Sequence, residues 1–161
     1  MLAWMILVVG ILSRVMFHEP NFTPVIALVL FGGMYLRKEQ AVWVPVVLMI
    51  VSDVLIGFHS VIAFTWGSML AISLLGALKR EDRSFGRSLG LSFVSAVLFF
   101  VVTNFGAWLA MYPKTLTGLM ECYIAAIPFF RTTLFSTLMY SCILWAAYEL
   151  GAKRFPRLAT V

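Results

Sequence analysis

The sequence predicts an all-α integral membrane protein, folded as a compact six-transmembrane-helix bundle with both termini in the cytoplasm (N-in/C-in). Of its 161 residues, 62% are hydrophobic and 12% are charged, a balance that excludes an ordinary soluble domain. The hydrophobic residues fall into six runs, and a helix needs about 20 apolar residues to cross the hydrocarbon core of a bilayer. Most of the basic residues lie outside these runs. Composition, run length and charge placement therefore predict one architecture.

The six runs and their short loops occupy the whole chain, which predicts a single transmembrane domain, residues 1–161, without a soluble or ATP-hydrolysing domain. The predicted spans cover about 2–17, 22–36, 40–57, 60–78, 88–111 and 132–151. The first run lacks a preceding basic segment and contains Arg14 near its end, so it predicts a retained helix rather than a signal peptide.

Boundary and packing signals support the later spans. Pro24 lies in the first turn of the second span, where a missing N–H costs little. The fourth span leads into a charged hairpin, residues 79–87. Small residues four positions apart predict close approaches between helices. These pairs are Gly67 with Ala71 and Gly106 with Ala110.

The basic residues predict the orientation. Nine of the twelve belong to the second loop, the fourth loop and the C-terminal tail: Arg37, Lys38, Lys79, Arg80, Arg83, Arg87, Lys153, Arg154 and Arg157. By the positive-inside rule these segments are cytoplasmic. We expect them to contact anionic lipid of the bilayer. Because they are divided among three short segments, we expect no nucleic-acid partner.

The fifth loop, residues 112–131, is long and mostly apolar, and long loops in small proteins are usually functional. Its apolar residues recur at helical spacing between two prolines, Pro113 and Pro128, which predict breaks. They are Leu116, Leu119, Met120, Tyr123 and Ile127. The pattern predicts a short helix that lies across the outer mouth as a lid. An interfacial anchor without a ligand role is the alternative.

The strongly polar residues within the spans, Arg14, Asp53 and Asn104, all fall in outer halves. A charged side chain inside a bilayer needs a partner or a route to the interface. Since Arg14 and Asp53 lie at similar predicted depth, we expect them to form an ion pair, although Arg14 near a helix end could instead extend to the outer headgroups. Asn104 is equally compatible with contacts to a neighbouring helix and with ligand contact.

Further polar and aromatic residues flank the same predicted mouth, namely His18, Asn21, His59, Tyr112, Tyr123 and Arg131. Tyr112 and Tyr123 would stack on a flat ligand, and Arg131 would donate to a carboxylate or phosphate. The spacing of metal ligands is absent, and Cys122 and Cys142 lie at different depths, which argues against a disulfide. We therefore expect neither a metal site nor a cofactor.

Several strings of this sequence resemble a family of uncharacterised bacterial membrane proteins assigned to transport. They are Asn21-Phe22-Thr23-Pro24 with Phe31-Gly32-Gly33, Ser52-Asp53 with Gly57-Phe58-His59, Thr103-Asn104-Phe105-Gly106, Tyr112-Pro113, and residues 122–131 from Cys122 to Arg131. The resemblance covers almost the whole chain. It implies a multi-pass protein of the bacterial cytoplasmic (inner) membrane with a role in uptake.

More distantly, the size, the six spans and the outer polar site are similar to the substrate-binding S components of energy-coupling-factor (ECF) transporters. An S-component-like protein would capture a vitamin-like small molecule from the outer face and dock on an energy-coupling membrane module. Release inward would follow from tilting of the bundle. The resemblance implies one ligand-binding pocket lined by Arg14, Asn21, Asp53, His59, Asn104, Tyr112, Tyr123 and Arg131. Because solitary proteins of this fold transport cobalamin, Cys122 is considered as a cobalt ligand.

Two other classes of function remain open at this point. A membrane scaffold similar to the rod-shape-determining membrane subunit would have the same length and span count. An intramembrane enzyme would use Asp53 with His18 or His59 for acid–base work. One carboxylate without a second acid, a metal motif or a nucleophile–base pair is a poor catalytic set, so we expect a binding protein rather than an enzyme.

Overall fold

A computed structural model describes residues 2–16, 21–81 and 83–154 of the chain. These residues are all-helical and form six helices. The helices are α1 (Leu2–Met16), α2 (Val25–Tyr35), α3 (Lys38–Ile56), α4 (Ile62–Leu78), α5 (Phe85–Met111) and α6 (Leu116–Arg154). The prediction of six helices is confirmed, with boundaries that differ by a few residues except at the start of α6.

Helix α2 lies at the centre of the bundle. It has 11 residues, is apolar on every side and is buried along its length except at half-buried Phe31. A helix that is hydrophobic all round must be enclosed. The other five helices all contact α2 and follow one another around it in the order α1, α3, α4, α5, α6. Within the described residues α1 and α6 do not contact each other, so this ring is open at one place.

Helix α2 approaches α4 backbone to backbone. A Cβ atom added to Gly76 would lie 2.5 Å from the carbonyl oxygen of Leu30, and one added to Gly33 would overlap the carbonyl of Ser73. Ser73 also donates a hydrogen bond to the Ala41 carbonyl at 2.6 Å, which joins α4 to α3. Small residues permit such close contacts between apolar helices. The predicted close approach at Gly67 and Ala71 is wrong for the described chain, because both residues are exposed.

The two ends of the bundle differ in charge. At the Arg14 end, α1, α3 and α5 finish and α2, α4 and α6 begin; at the opposite end, which we call the Arg83 end, the directions are reversed. The basic residues of the second and fourth loops lie at the Arg83 end. Tyr35 and Tyr148 also meet there, 4.2 Å apart between ring centroids, and the Arg83 guanidinium lies 4.5 Å from the Tyr35 ring.

Three of the helices, α3, α5 and α6, are long and apolar enough to cross a membrane, whereas α1, α2 and α4 are shorter apolar helices. The outer surfaces of the helices are strongly apolar. On α1 alone the exposed side chains include Trp4, Met5, Val8, Val9, Leu12 and Val15. An exposed apolar surface of this extent marks contact with lipid or with another protein.

The predicted helix within residues 112–131 is confirmed, but the prediction that it forms a separate lid ending at Pro128 is wrong. Residues 116–131 are helical and continue without a break into the predicted sixth span, which makes α6 39 residues long with Pro128 inside it. A proline removes one hydrogen bond of a helix, but apolar helices packed against neighbours tolerate the loss. The loop itself is a tight turn at residues 112–115. The Thr115 side chain accepts a hydrogen bond from the Gly118 N–H at 3.1 Å and so caps the start of α6.

We predict that Gly76→Ala lowers the thermal unfolding midpoint of the purified protein. The added methyl group would meet backbone rather than flexible side chains, and overpacking of this kind costs about 1–3 kcal/mol. Gly67→Ala is the matched control, because a Cβ atom there meets nothing within 4 Å. Equal midpoints for the two variants would contradict the close approach of α2 and α4.

Candidate functional site

Arg14 and Asp53 form the predicted ion pair. The Arg14 Nη2 atom lies 2.6 Å from Asp53 Oδ1, and the side chains are 17% and 1% exposed. The pair joins the end of α1 to the end of α3. The alternative, in which Arg14 extends to the headgroups without a partner, does not describe this structure.

Further contacts join the pair to neighbouring side chains. The Trp66 indole N–H, on α4, donates to Asp53 Oδ2 at 2.7 Å. Arg14 Nη1 donates to the Ser52 hydroxyl at 2.8 Å and lies 3.1 Å from the Met49 sulfur. We call these five residues the Arg14 cluster. Because a buried charge is costly unless it is paired and hydrogen-bonded, the cluster fastens α1, α3 and α4 together.

A separate cavity of about 300 Å³ lies between α5 and α6 at the Arg14 end. Its lining is aromatic and polar but uncharged: Asn21, Phe99, Phe100, Thr103, Asn104, Ala126, Phe129, Phe130 and Thr133. Cavities that bind small molecules have this character, with an apolar wall and a few placed polar groups. We call it the α5–α6 cavity.

The polar side chains of the cavity donate hydrogen bonds to backbone carbonyls of their own helices. Thr103 donates to the Phe99 carbonyl at 2.7 Å, and Thr133 donates to the Phe129 carbonyl at 3.0 Å. Asn104 spends one amide N–H on Phe100, at 2.7 Å. A hydroxyl has one donor and two acceptor lone pairs, and an amide has an acceptor oxygen and a second N–H. The cavity therefore offers mainly acceptor oxygens to a ligand.

The aromatic side chains of the cavity wall pack against one another and against Tyr123. Phe100 packs against Phe130 with 4.6 Å between ring centroids and against Tyr123 at 5.5 Å. The Tyr123 hydroxyl donates to the Val101 carbonyl at 2.7 Å, which fixes the Tyr123 ring against α5. Fixed phenylalanine faces favour a flat ligand that stacks on them.

Asn21 lines the cavity from the side of α2. Its backbone has a φ of 62°, a left-handed conformation that asparagine adopts more readily than most residues. Its carbonyl accepts a hydrogen bond from the Ser136 hydroxyl at 3.3 Å. This contact anchors the segment before α2 to α6.

The structure divides the eight predicted ligand-binding residues instead of gathering them in one pocket. Asn21 and Asn104 line the α5–α6 cavity, and Tyr123 braces its wall. Arg14 and Asp53 lie in the Arg14 cluster, which involves α1, α3 and α4 rather than α5 and α6. The other three residues do not line the cavity. His59 is exposed between α3 and α4, Tyr112 is in the turn before α6, and Arg131 is exposed on α6.

Two further predictions concern histidine and cysteine. His18 lies outside the described residues. Cys122 is buried, with its thiol 3.4 Å from the Asn104 carbonyl, so it packs against α5 and is not part of the cavity lining. Among the described residues no group of three His, Cys, Asp or Glu side chains is arranged to hold a metal ion.

Seven residues of the cavity lining were not predicted from the sequence. All seven are uncharged; three lie on α5 and four lie on α6. The signal that could have found them is helical spacing. Once residues 116–131 are placed in a helix, Ala126, Phe129, Phe130 and Thr133 fall at intervals of three, four and seven, on one face. The interpretation of Pro128 as a break concealed this pattern.

The fold and the cavity together define an all-helical protein with strongly apolar outer surfaces and an uncharged aromatic cavity at one end of the bundle. The chain belongs to a family described as Family of unknown function (DUF6580), whose model it matches over residues 1–158. No curated protein and no solved structure matches the chain. The similarity to S components therefore stays a prediction.

We predict that Asp53→Asn lowers the free energy of unfolding by about 3 kcal/mol, the lower part of the range for breaking a buried pair. The lower value applies because Arg14 remains partly exposed. Thermal or denaturant unfolding in detergent measures the change. The double variant Arg14→Met/Asp53→Leu is the control and should lose less, since it leaves no unpaired charge. An Asp53→Asn variant as stable as the parent protein would show that the pair does not fasten the helices.

Proposed function

We propose that this protein is a multi-pass protein of the bacterial inner membrane that captures a small, neutral, vitamin-like nutrient from the outer side. The observation that carries the proposal is the α5–α6 cavity, with its four phenylalanines and its uncharged polar side chains. Nutrient uptake needs a preformed site at one end of the bundle, and the cavity supplies one.

The proposed arrangement has all six helices in the bilayer, with the Arg14 end outside and both termini in the cytoplasm. Two features support it. The basic residues of the second and fourth loops lie at the Arg83 end, as the positive-inside rule requires of the cytoplasmic end. The shortest helix, α2, is enclosed by the others and so needs no lipid-facing length of its own.

The cavity restricts the class of ligand. A volume of about 300 Å³ lies at the small end of the usual range for ligand pockets, which is about 300–1,000 Å³. It suits a molecule of one flat ring system and is too small for a whole corrinoid. Because the lining holds no Lys, Arg, Asp or Glu, a neutral ligand fits better than a carboxylate or a phosphate. The acceptor oxygens favour a ring that carries N–H or O–H donors.

A binding role is favoured over catalysis because the buried carboxylate lies apart from the cavity. Asp53 contacts Arg14 and Trp66 in the Arg14 cluster and does not line the α5–α6 cavity. His59, the proposed acid–base partner, is exposed in the loop after α3. We therefore propose that the protein is not an enzyme.

The second candidate function is a membrane scaffold, and one observation favours it. Ala63, Gly67 and Ala71 lie four residues apart on an exposed face of α4. Small residues at this spacing allow a helix of another protein to pack closely. An energy-coupling membrane module would be a partner of the same kind, and the ligand screen separates the two functions.

We predict that a thermal-shift screen in detergent finds a ligand among neutral single-ring vitamins and nucleobases, and not among carboxylate vitamins or cobalamin. A ligand that binds only the folded protein stabilises it by about 2.7 kcal/mol at a hundredfold excess over its dissociation constant. Thr133→Val should weaken binding about fivefold, the equivalent of about 1 kcal/mol for one hydrogen bond. Thr132→Val is the matched control, because Thr132 is the adjacent residue and does not line the cavity.

Two further variants separate the sites. Arg131→Ala should leave the thermal shift unchanged, because Arg131 lies outside the cavity lining. Gly67→Leu should leave it unchanged while it disrupts any assembly that uses the exposed face of α4. Absence of a shift across the whole panel, with the protein folded and monodisperse, would contradict the capture function and favour the scaffold.

A further inference from the structure

A second, much smaller cavity lies along the seam between α5 and α6, nearer the Arg83 end than the α5–α6 cavity. The second cavity has a volume of about 10 Å³, enough for about one water molecule. It lies where α2, α5 and α6 meet, and its polar lining consists of Tyr35, Ser88, Ser92 and Ser141, together with the indole of Trp145. We call it the inner cavity.

The register of the two helices identifies what separates the cavities. The Ser92 and Ser141 hydroxyls are hydrogen-bonded to each other at 2.7 Å, which places these residues opposite each other. The helices are antiparallel, so one turn toward the Arg14 end brings Ala96 opposite Thr137. One turn further brings Phe100 opposite Thr133, and both of these line the α5–α6 cavity, as the register requires.

The barrier between the cavities is therefore thin and made of small side chains. It consists of the Ala96–Thr137 layer and the Ser92–Ser141 hydrogen bond. On α6 the hydroxyls of Thr133, Thr137 and Ser141 follow at intervals of four residues, about 6 Å apart along one face. They form a line from one cavity to the other.

Four buried hydroxyls have no hydrogen-bond partner among the described residues. Thr137 lies on this line, Ser88 and Tyr35 line the inner cavity, and Ser95 lies on α5 beside Ala96. Thr137 is 0% exposed and lies one turn from both Thr133 and Ser141, so it shares the face of α6 that meets α5. A buried hydroxyl without a partner costs about 1–3 kcal/mol. Hydroxyls that served only to join helices would be expected to bond across the interface, as Ser92 and Ser141 do.

We propose that the α5–α6 seam opens as a water-accessible passage, through which a small neutral solute moves from the α5–α6 cavity past Thr137 to the inner cavity and the Arg83 end. The unpartnered hydroxyls bond to the solute and its water while the seam is open. The identity of the cargo rests on the proposed function, whereas the existence of the passage rests on the seam itself.

Thiol accessibility in membrane vesicles tests the passage without knowledge of the ligand. Thr137→Cys is made in a Cys122→Ser/Cys142→Ala background whose thermal midpoint shows that it is folded. The probe is 2-hydroxyethyl methanethiosulfonate, a small, neutral and polar thiol reagent, and the intact mass of the protein reports the reaction. Since the thiolate is the reactive species, a cysteine buried in a permanently closed apolar interface stays inert. Ser68→Cys is the matched control, an equally buried position on α4 outside both cavities.

The passage predicts that Thr137→Cys reacts and that Ser68→Cys does not. Protection of both cysteines would overturn the proposal, and so would equal reaction of both, because that result reports general loosening of the bundle. A second measurement is the thermal midpoint of Thr137→Val, which the passage predicts to be unchanged or raised. A lowered midpoint would show that the hydroxyl joins the helices, and would also overturn it.

These results are independent of the ligand screen. If Thr137→Cys reacts and the screen finds no ligand, the capture function fails while the passage stands. If a ligand binds and Thr137→Cys is protected, the passage fails while the capture function stands.

Discussion

Enclosure of α2 is the constraint on which the rest of the structure depends. This helix has 11 residues, about 16 Å of length, and a hydrocarbon core is about 30 Å thick. It is apolar on all sides, so five helices must surround it, and the backbone contact at Gly33 and Gly76 lets α4 lie close enough to do so. Because α2 occupies the centre, it keeps the Arg14 cluster on one side of the bundle apart from the α5–α6 cavity on the other.

The Arg14 cluster and the α5–α6 cavity differ in how their polar groups are paired. In the Arg14 cluster the charge of Asp53 is balanced by Arg14, and further hydrogen bonds come from Trp66 and Ser52. In the α5–α6 cavity no charge needs compensation, and the oxygens of Thr103 and Thr133 still have free lone pairs. The pairing of charges between helices favours a structural role, and unused hydrogen-bonding capacity beside an aromatic wall favours a binding role.

This difference explains how much the sequence alone could predict. The six helices and the Arg14–Asp53 pair follow from strong signals, since apolar runs and intramembrane charges have few alternatives. The cavity has only the weaker signal of helical spacing, because threonine and phenylalanine are common in apolar helices. The predicted start of α6 was wrong because proline usually ends a helix. Here packing against α2 and α5 keeps the helix continuous through Pro128. Similarly, the spacing of Gly67 and Ala71 could not reveal that they face outward while Gly33 and Gly76 make the close contact.

The ring of helices is open between α1 and α6, so α6 is held by α2 and α5 alone among the described helices. The Arg14 cluster fastens α1, α3 and α4, and the glycine contact fastens α4 to α2, so these four helices form one body. Helix α6 contacts only α2 and α5 among the described helices. Its interface with α5 is the most extensive between any two described helices, but it contains neither an ion pair nor a backbone contact between glycines among the described residues. The hydrogen bonds across it are Ser92–Ser141, Cys122–Asn104 and Tyr123–Val101, so opening of the proposed passage would break these bonds and part of the apolar packing. The helix that carries the line of hydroxyls is thus held to α5 by packing and hydrogen bonds rather than by charge.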